Sequence, residues 1–406
     1  MTPESAAAWP AVDHQIAQWR QSARGGTRED RELTSVTVAL PALIAGCTVP
    51  LTAPDAAEAE SAAREIGALD ESAGGVLDAL GLMMLRSESV ASSKIEQVEA
   101  GIDDYARALY GNRSNPSATS MVAATDALTM LTDGLPSREG LTVQRVITAH
   151  AALMADDPYE KAQAGRLREV QNWIGGSDHS PRDALFVPPP PDRVADLMDD
   201  LFGFANRNDM PALVQAAITH AQFETIHPFT DGNGRIGRAL INSILRQRGV
   251  TRRVVVPLAT ALVADRDRYF ATLTSYRDGD VSSLITTFAQ SARIAAKQSR
   301  ETARRLSNLP DEWRELTGPL RAGSAAARLL LALPQQPIFT TDTAVSLVSA
   351  SPSSIYAAIG RLHAAGVLRP LTERTRNQIW GAASILDELD DLQMRVTDEV
   401  MRTSTR

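Results

Sequence analysis

Four side chains that could do chemistry, His227, Asp231, Arg235 and Arg238, are set around one turn, Gly232-Asn233-Gly234. Glycines let a backbone turn sharply and come close to a ligand. N–H groups at the start of a helix form an anion site, helped by the helix dipole. Arg235 and Arg238 are three apart, so on a helix both guanidinium groups face one ligand, and a planar fork suits phosphate oxygens. Asp231 supplies a hard oxygen for Mg²⁺, which binds through one or two carboxylates plus substrate phosphates. His227 is the neighbouring group suited to act as a general base near neutral pH. Together these parts fit phosphoryl or nucleotidyl transfer. A Gly-Asn-Gly loop opening a helix is by itself a common turn, but a plain turn does not need the histidine, the carboxylate and both arginines. The run lacks the Gly-Lys-Ser/Thr of a P-loop.

Two helices must position these groups. Leu213, Ala217, Ile218 and Ala221 mark an apolar helical face before the turn; Ile236, Leu240, Ile241 and Leu245 mark another after it. The whole run, His227-Pro228-Phe229-Thr230-Asp231-Gly232-Asn233-Gly234-Arg235-Ile236-Gly237-Arg238, resembles the signature of the Fic family, His-Pro-Phe-x-Asp/Glu-Gly-Asn-Gly-Arg-x-x-Arg, at every specified position. The preceding Phe223-Glu224-Thr225-Ile226 is similar to that family as well. The resemblance implies an all-helical core that transfers AMP, or less often another phosphate-containing group, from a nucleotide to a protein hydroxyl. It implies that His227 takes the proton of the attacking hydroxyl and that Asp231 holds Mg²⁺. Asn233 and the backbone of Gly232 and Gly234 would hold the phosphates of ATP, with Arg235 on the diphosphate and Arg238 on the terminal phosphate.

Composition sets bounds. A chain of 406 residues has room for two or three domains. Its 44% hydrophobic and 22% charged content is that of an ordinary soluble protein. A net charge of −8 argues against whole-surface attraction to nucleic acid or anionic membrane. Cys47 is the single cysteine, which excludes an intramolecular disulfide and a cysteine metal cluster. The run Val36 to Leu51 is interrupted by Pro41 and Pro50 and makes a poor membrane span. With no signal-peptide pattern at the N-terminus, a cytoplasmic location is expected.

Residues 1 to about 30 read as a loosely docked arm, Val36 to Ile44 as an extended segment, and Leu77 through Leu109 as a long helical region. In that region Ser93 and Glu96 have the spacing of a capping box, a plain helix start. Beside the motif, the same stretch is similar to the inhibitory helix of many Fic proteins, Ser/Thr-x-x-x-Glu-Gly/Asn. Ser92 and Glu96 fit that pattern, and Gln97 stands where Gly or Asn is usual. The resemblance implies that Glu96 pairs with Arg238 and restrains transfer. Ala184 to Val187 runs into four prolines, Pro188 to Pro191, which form a stiff polyproline II connector on a plain reading. The block from Gly165 to Val187 also resembles the flap of Fic proteins, in which Leu185, Phe186 and Val187 would clamp the target as an added strand. Trp173 reads as a packing anchor. Tyr269 and Tyr276 either edge an adenine pocket or pack in the core. Thr286 to Leu306 is a basic amphipathic helix with the cations of a solvated linker face. Of the remaining histidines, His220 reads as packed, and His14, His150, His179 and His363 are scattered without ligand spacing.

From Arg321 the pattern is helix, helix, helix, hairpin: Ala325 to Leu333, Thr340 to Val348, Ser351 to Ala365, then strands at Gly366 to Leu368 and Gln378 to Trp380. That is a winged helix-turn-helix order, also similar to the C-terminal extension of many Fic proteins. Its third helix offers Arg361 and His363 as cationic groups, few for a DNA reader, so protein docking is preferred. The expected fold is mainly α: a Fic-type helical core with a β-hairpin flap. The expected parts are a regulatory domain over 1–115, the catalytic core over 116–295, a helical linker over 296–324 and a winged-helix tail over 325–406. The expected function is Mg²⁺-dependent transfer of AMP from ATP to a Ser, Thr or Tyr hydroxyl of a protein, the chain itself included, by a homodimer. Two other functions fit the same residues: removal of AMP from a modified protein, with Glu96 aligning the water, and nucleotide binding without turnover by a winged-helix regulator.

Overall fold

A computed structural model describes residues 8–21, 25–72, 77–372 and 378–404. Sixteen α-helices and five short strands make the described chain mainly helical. No helix among the described residues is long and apolar enough to cross a membrane. The chain forms two compact units, each discontinuous in sequence: 1–63 with 126–250 and 266–290, and 64–125 with 251–265 and 291–406.

In the first unit the helix Ala212–Ile226 is buried on every face rather than along one stripe. Its polar side chains therefore need partners. Gln215 donates to the carbonyls of Phe204, Ala205 and Arg207, closing the end of the helix Val194–Ala205. Gln222 donates to the Ala42 carbonyl and accepts from the Tyr276 hydroxyl. The N-terminal arm is not loosely docked from residue 8 onward. Trp9 is buried against Phe204 and Tyr276, and Asp13–Gln18 pairs antiparallel with Ser35–Leu40. An aromatic side chain of this size gains too much from burial to stay in solvent. The parts of the arm over 1–7 and 22–24 lie outside the described residues.

The second unit revises the long helical region. The helix Leu77–Ile95 stops, and a separate helix, Ile102–Leu109, follows. Ser93 and Glu96 therefore lie at a helix end and not at a start, which overturns the capping-box reading. The Val98 N–H donates to the Ser93 carbonyl (3.0 Å) and the Gln97 N–H to the Lys94 carbonyl (2.9 Å), with Gln97 left-handed at φ 61°. This is a Schellman closure, whose left-handed position favours glycine. Gln97→Gly should accordingly stabilise the chain by about 0.5–1 kcal/mol in chemical denaturation. A loss of stability would mean that the glutamine side chain holds the turn.

On the helix Val281–Thr317 the cations Lys297, Arg304 and Arg305 are exposed, as a solvated face would be, and several of its cations also form ion pairs. Lys297 pairs with Glu399, Arg300 with Glu65 and Arg305 with Glu388. Farther on, the order is helix Ala325–Ala332, strand Ile338–Thr340, helices Thr341–Val348 and Pro352–Ala364, then strands Leu368–Pro370 and Ile379–Ala382. The first strand was not foreseen; it pairs antiparallel with the last, which also pairs with Leu368–Pro370. The connection between these two strands over 373–377 lies outside the described residues. Arg361 donates to the carbonyls of Thr317 and Pro319, and His363 bonds the Leu368 carbonyl, so both cationic groups of the third helix have partners within the unit.

Candidate functional site

The twelve-residue run joins two antiparallel neighbours in the first unit, the helices Ala212–Ile226 and Asn233–Gln247. His227 caps the first in a left-handed conformation (φ 50°, ψ 62°), its N–H donating to the Phe223 carbonyl at 2.8 Å. Gly232 caps the second at φ 76°, where an added Cβ would also meet Leu153 at 3.1 Å. The bend between the caps is held from within. The Phe229 N–H donates to Asn233 Oδ1 (2.9 Å), and Asn233 Nδ2 returns to the Phe229 carbonyl (2.8 Å). With its side chain engaged this way, Asn233 presents its backbone to a ligand. The first helical rung is Ile236 to the Gly232 carbonyl, so the N–H groups of Asn233 and Gly234 precede it at the positive end of the dipole.

Arg235 and Arg238 are both buried, at 7% and 1% exposure, which is unusual for two cations on one helix. Arg235 lies 3.6 Å from Asp231 Oδ2 and touches the Met154 sulfur. Arg238 Nη1 donates to the Tyr269 hydroxyl at 3.4 Å, and that hydroxyl is 2.9 Å from His220 Nε2. Tyr269 and Tyr276 are both buried, so the aromatic rings pack in the core, and Tyr269 meets the site through Arg238. Glu224 approaches His227, 3.9 Å from Nδ1. The two helices pass so closely at Gly237 that a Cβ there would lie 2.6 Å from Glu224 Oε1. The signature leaves this position unspecified.

Asp231 is the candidate metal ligand. Its Oδ1 accepts from the Gly232 N–H at 2.6 Å, and the side chain is 55% exposed. Among the described residues no cluster of three or more His, Cys, Asp or Glu could hold an ion. A single accessible carboxylate fits Mg²⁺, which takes its remaining ligands from phosphates and water.

Two residues that the sequence left without a role hold the bend from behind. Arg168 is 3% exposed and forms no ion pair among the described residues. Its guanidinium donates to the carbonyls of His227 (2.8 Å), Pro189 (2.5 Å), Val170 (3.2 Å) and Ile226 (3.3 Å), and its N–H donates to that of Pro228. A cation at the carbonyl end of a helix is favoured by the dipole. Burial lowers its pKa to about 10, so it stays charged at neutral pH. His150 stacks flat on Phe229 at 3.7 Å. Its Nδ1 accepts from the Gly165 N–H and its Nε2 faces the Asp231 carbonyl, both at 3.0 Å, so the proton belongs on Nε2 and the ring is neutral.

Burial holds the His150 pKa down at about 4 against an ordinary 6.5, although the Asp231 carbonyl pulls the other way. The unfolded chain therefore binds the extra proton first. This contribution to stability is fully present above pH 6.5 and lost as pH falls toward 4. It amounts to about 3 kcal/mol at most. Thermal midpoints across that window should rise more steeply with pH for the native chain than for His150→Gln; equal slopes would show that another group dominates.

The flap is irregular. A single antiparallel bridge joins Ile174 to Phe186, and Trp173 packs edge-on against Trp19 at 5.4 Å. Leu185 is 85% exposed. Phe186 lies under the Arg277 guanidinium, 3.7 Å away, and Val187 is buried with its carbonyl accepting from the Ala39 N–H. In the second unit, Ser92 is buried in the helix Leu77–Ile95, and Glu96 is the residue just past its end.

Residues 140–245 match the Fic/DOC family. The protein adenylyltransferase fic-1 of Caenorhabditis elegans is 29% identical over 185 residues, 44% of this chain and 32% of that protein. A probable protein adenylyltransferase of Aquifex aeolicus is 25% identical over 227 residues, 56% of this chain and 65% of the relative. The chain thus spans about a third of the nematode protein and under two thirds of the bacterial one. A crystal structure of a Fic family protein from Desulfovibrio desulfuricans superposes with a TM-score of 0.51 at 18% identity, covering 82% of this chain and 96% of that one, which shows a shared fold.

Proposed function

We propose, for a chain whose residues 140–245 are a Fic/DOC family domain, that it is a protein adenylyltransferase moving AMP from ATP to a Ser, Thr or Tyr hydroxyl of a target protein. The observation that carries this reading is the bend itself: a histidine at one helix end, a glycine-capped helix start at the other, and two buried arginines alongside. The hydroxyl oxygen attacks the α-phosphorus and its proton passes to His227. The bond from that phosphorus to the β-phosphate oxygen breaks, and pyrophosphate leaves. The N–H groups of Asn233 and Gly234 hold the phosphates; Arg235 steadies the diphosphate and Arg238 the terminal phosphate, with Tyr269 bracing Arg238. Mg²⁺ bound through Asp231 would neutralise phosphate charge. Leu185, with Phe186 and Val187 behind it, lines the path of the target segment.

In the same reading Glu96 restrains transfer by pairing with Arg238, with Ser92 one turn before it on the helix. The tail over 325–406 is read as a winged helix that docks protein, a choice supported by the internal partners of Arg361 and His363. The test uses purified protein, Mg²⁺, a cell lysate and ATP labelled at either the α- or the γ-phosphate. Label from the α position alone should stay on protein. Retention of the γ label would make the chain a phosphotransferase instead.

A further inference from the structure

Within the second unit the helices Leu77–Ile95, Ile102–Leu109 and Ala383–Ser404 and the strand Ile338–Thr340 line a cavity of about 160 Å³. An apolar cavity of roughly 150 Å³ is enough to take up a small apolar molecule. The wall is largely apolar, formed by Val90, Ile102, Met121, Ile338, Leu386 and Leu389. Four charged side chains also line it: Arg86, Lys94, Arg369 and Asp390. Arg369 already pairs with Asp387 at 2.5 Å. Arg86 and Lys94 form no ion pair among the described residues, and Lys94 has only a 3.5 Å hydrogen bond to Gln393. They stand eight apart on one helix with Val90 midway, so a single helix face presents cation, apolar group, cation.

We propose that this cavity binds a small amphipathic acid, an apolar chain or ring carrying one carboxylate or phosphate. The apolar body would lie against Val90, Ile338 and Leu386, and the acid group would meet Lys94 or Arg86. The wall alone attracts any apolar molecule of the right size. The unmatched cations in a partly dry pocket add selectivity for an acid, since hydrogen bonds between two charged groups are the strong ones. Lys94 lies two residues before Glu96, so a bound acid would also stiffen the turn that carries that carboxylate. That consequence rests on the inhibitory reading, whereas binding does not.

Calorimetric titration of the full chain with octanoate, octyl phosphate and neutral octanol tests the assignment directly and needs no catalysis. One molecule of octanoate or octyl phosphate should bind per chain, with octanol at least about tenfold weaker, the effect of about 1.4 kcal/mol. Whichever acid binds more tightly identifies the head group. The double substitution Arg86→Met with Lys94→Met should weaken the acids by at least about tenfold and leave octanol unchanged. Val90→Trp, which fills the cavity, should abolish binding of all three. Equal affinity for octanol and the acids, acid binding that survives the double substitution, or no saturable binding of either acid would overturn the proposal.

Discussion

His227→Ala is expected to lower AMP transfer by about 10²–10⁴-fold, the usual worth of a general base, with ATP affinity nearly unchanged. In the proposed reaction the imidazole accepts a proton from the incoming hydroxyl, whereas the next helix would hold the phosphates. Folding should survive, because the bend is fixed through backbone atoms. The His227 N–H bonds to Phe223, its carbonyl accepts from Arg168, and Asn233 ties the loop at Phe229. Alanine in the left-handed conformation costs about 1–2 kcal/mol, a tolerable strain. Single-turnover rates with α-labelled ATP, alongside nucleotide affinity, provide the check. Transfer at the native rate would remove His227 from the mechanism.

The second large effect has the opposite sign. Glu96→Gly should raise transfer by at least about tenfold, equal to about 1.4 kcal/mol on the barrier. In the proposed inhibition, a carboxylate meeting Arg238 would give it a charge-assisted partner and put negative charge where the terminal phosphate is expected. ATP can then bind in a non-productive pose, so the loss falls on rate more than on affinity. Arg238→Ala should abolish transfer, and adding Glu96→Gly should not restore it, since the phosphate contact is missing in both. A folded, ATP-binding Glu96→Gly protein with unchanged labelling would return Glu96 to an ordinary surface role.

The groups proposed to do the chemistry stood out in the sequence because they are adjacent: histidine, carboxylate, glycines and arginines fall within twelve residues, where spacing alone brings them to one bend. The groups that hold the bend were not. Arg168 reaches His227 across 59 positions and His150 reaches Asp231 across 81, and an isolated arginine or histidine carries no periodic signal of what it will touch. Gly237 was passed over for the same reason, since its role is to let another helix approach. The capping-box misreading has a different origin. A Ser-x-x-Glu spacing belongs to either end of a helix, and only the left-handed Gln97 reveals which end this is. The burial of Trp9 was likewise invisible, because its partners Phe204 and Tyr276 lie far along the chain.

The central claim is that AMP, and not phosphate, is moved to a protein hydroxyl. Intact-mass spectrometry of the acceptor protein after incubation with the Glu96→Gly chain, ATP and Mg²⁺ tests it most directly, with released pyrophosphate measured in the same reaction. A mass gain of one AMP is expected for each modified hydroxyl, with one pyrophosphate released for each gain, and neither with His227→Ala added. A gain of phosphate alone, or ATP binding with no covalent gain on any acceptor, would contradict it.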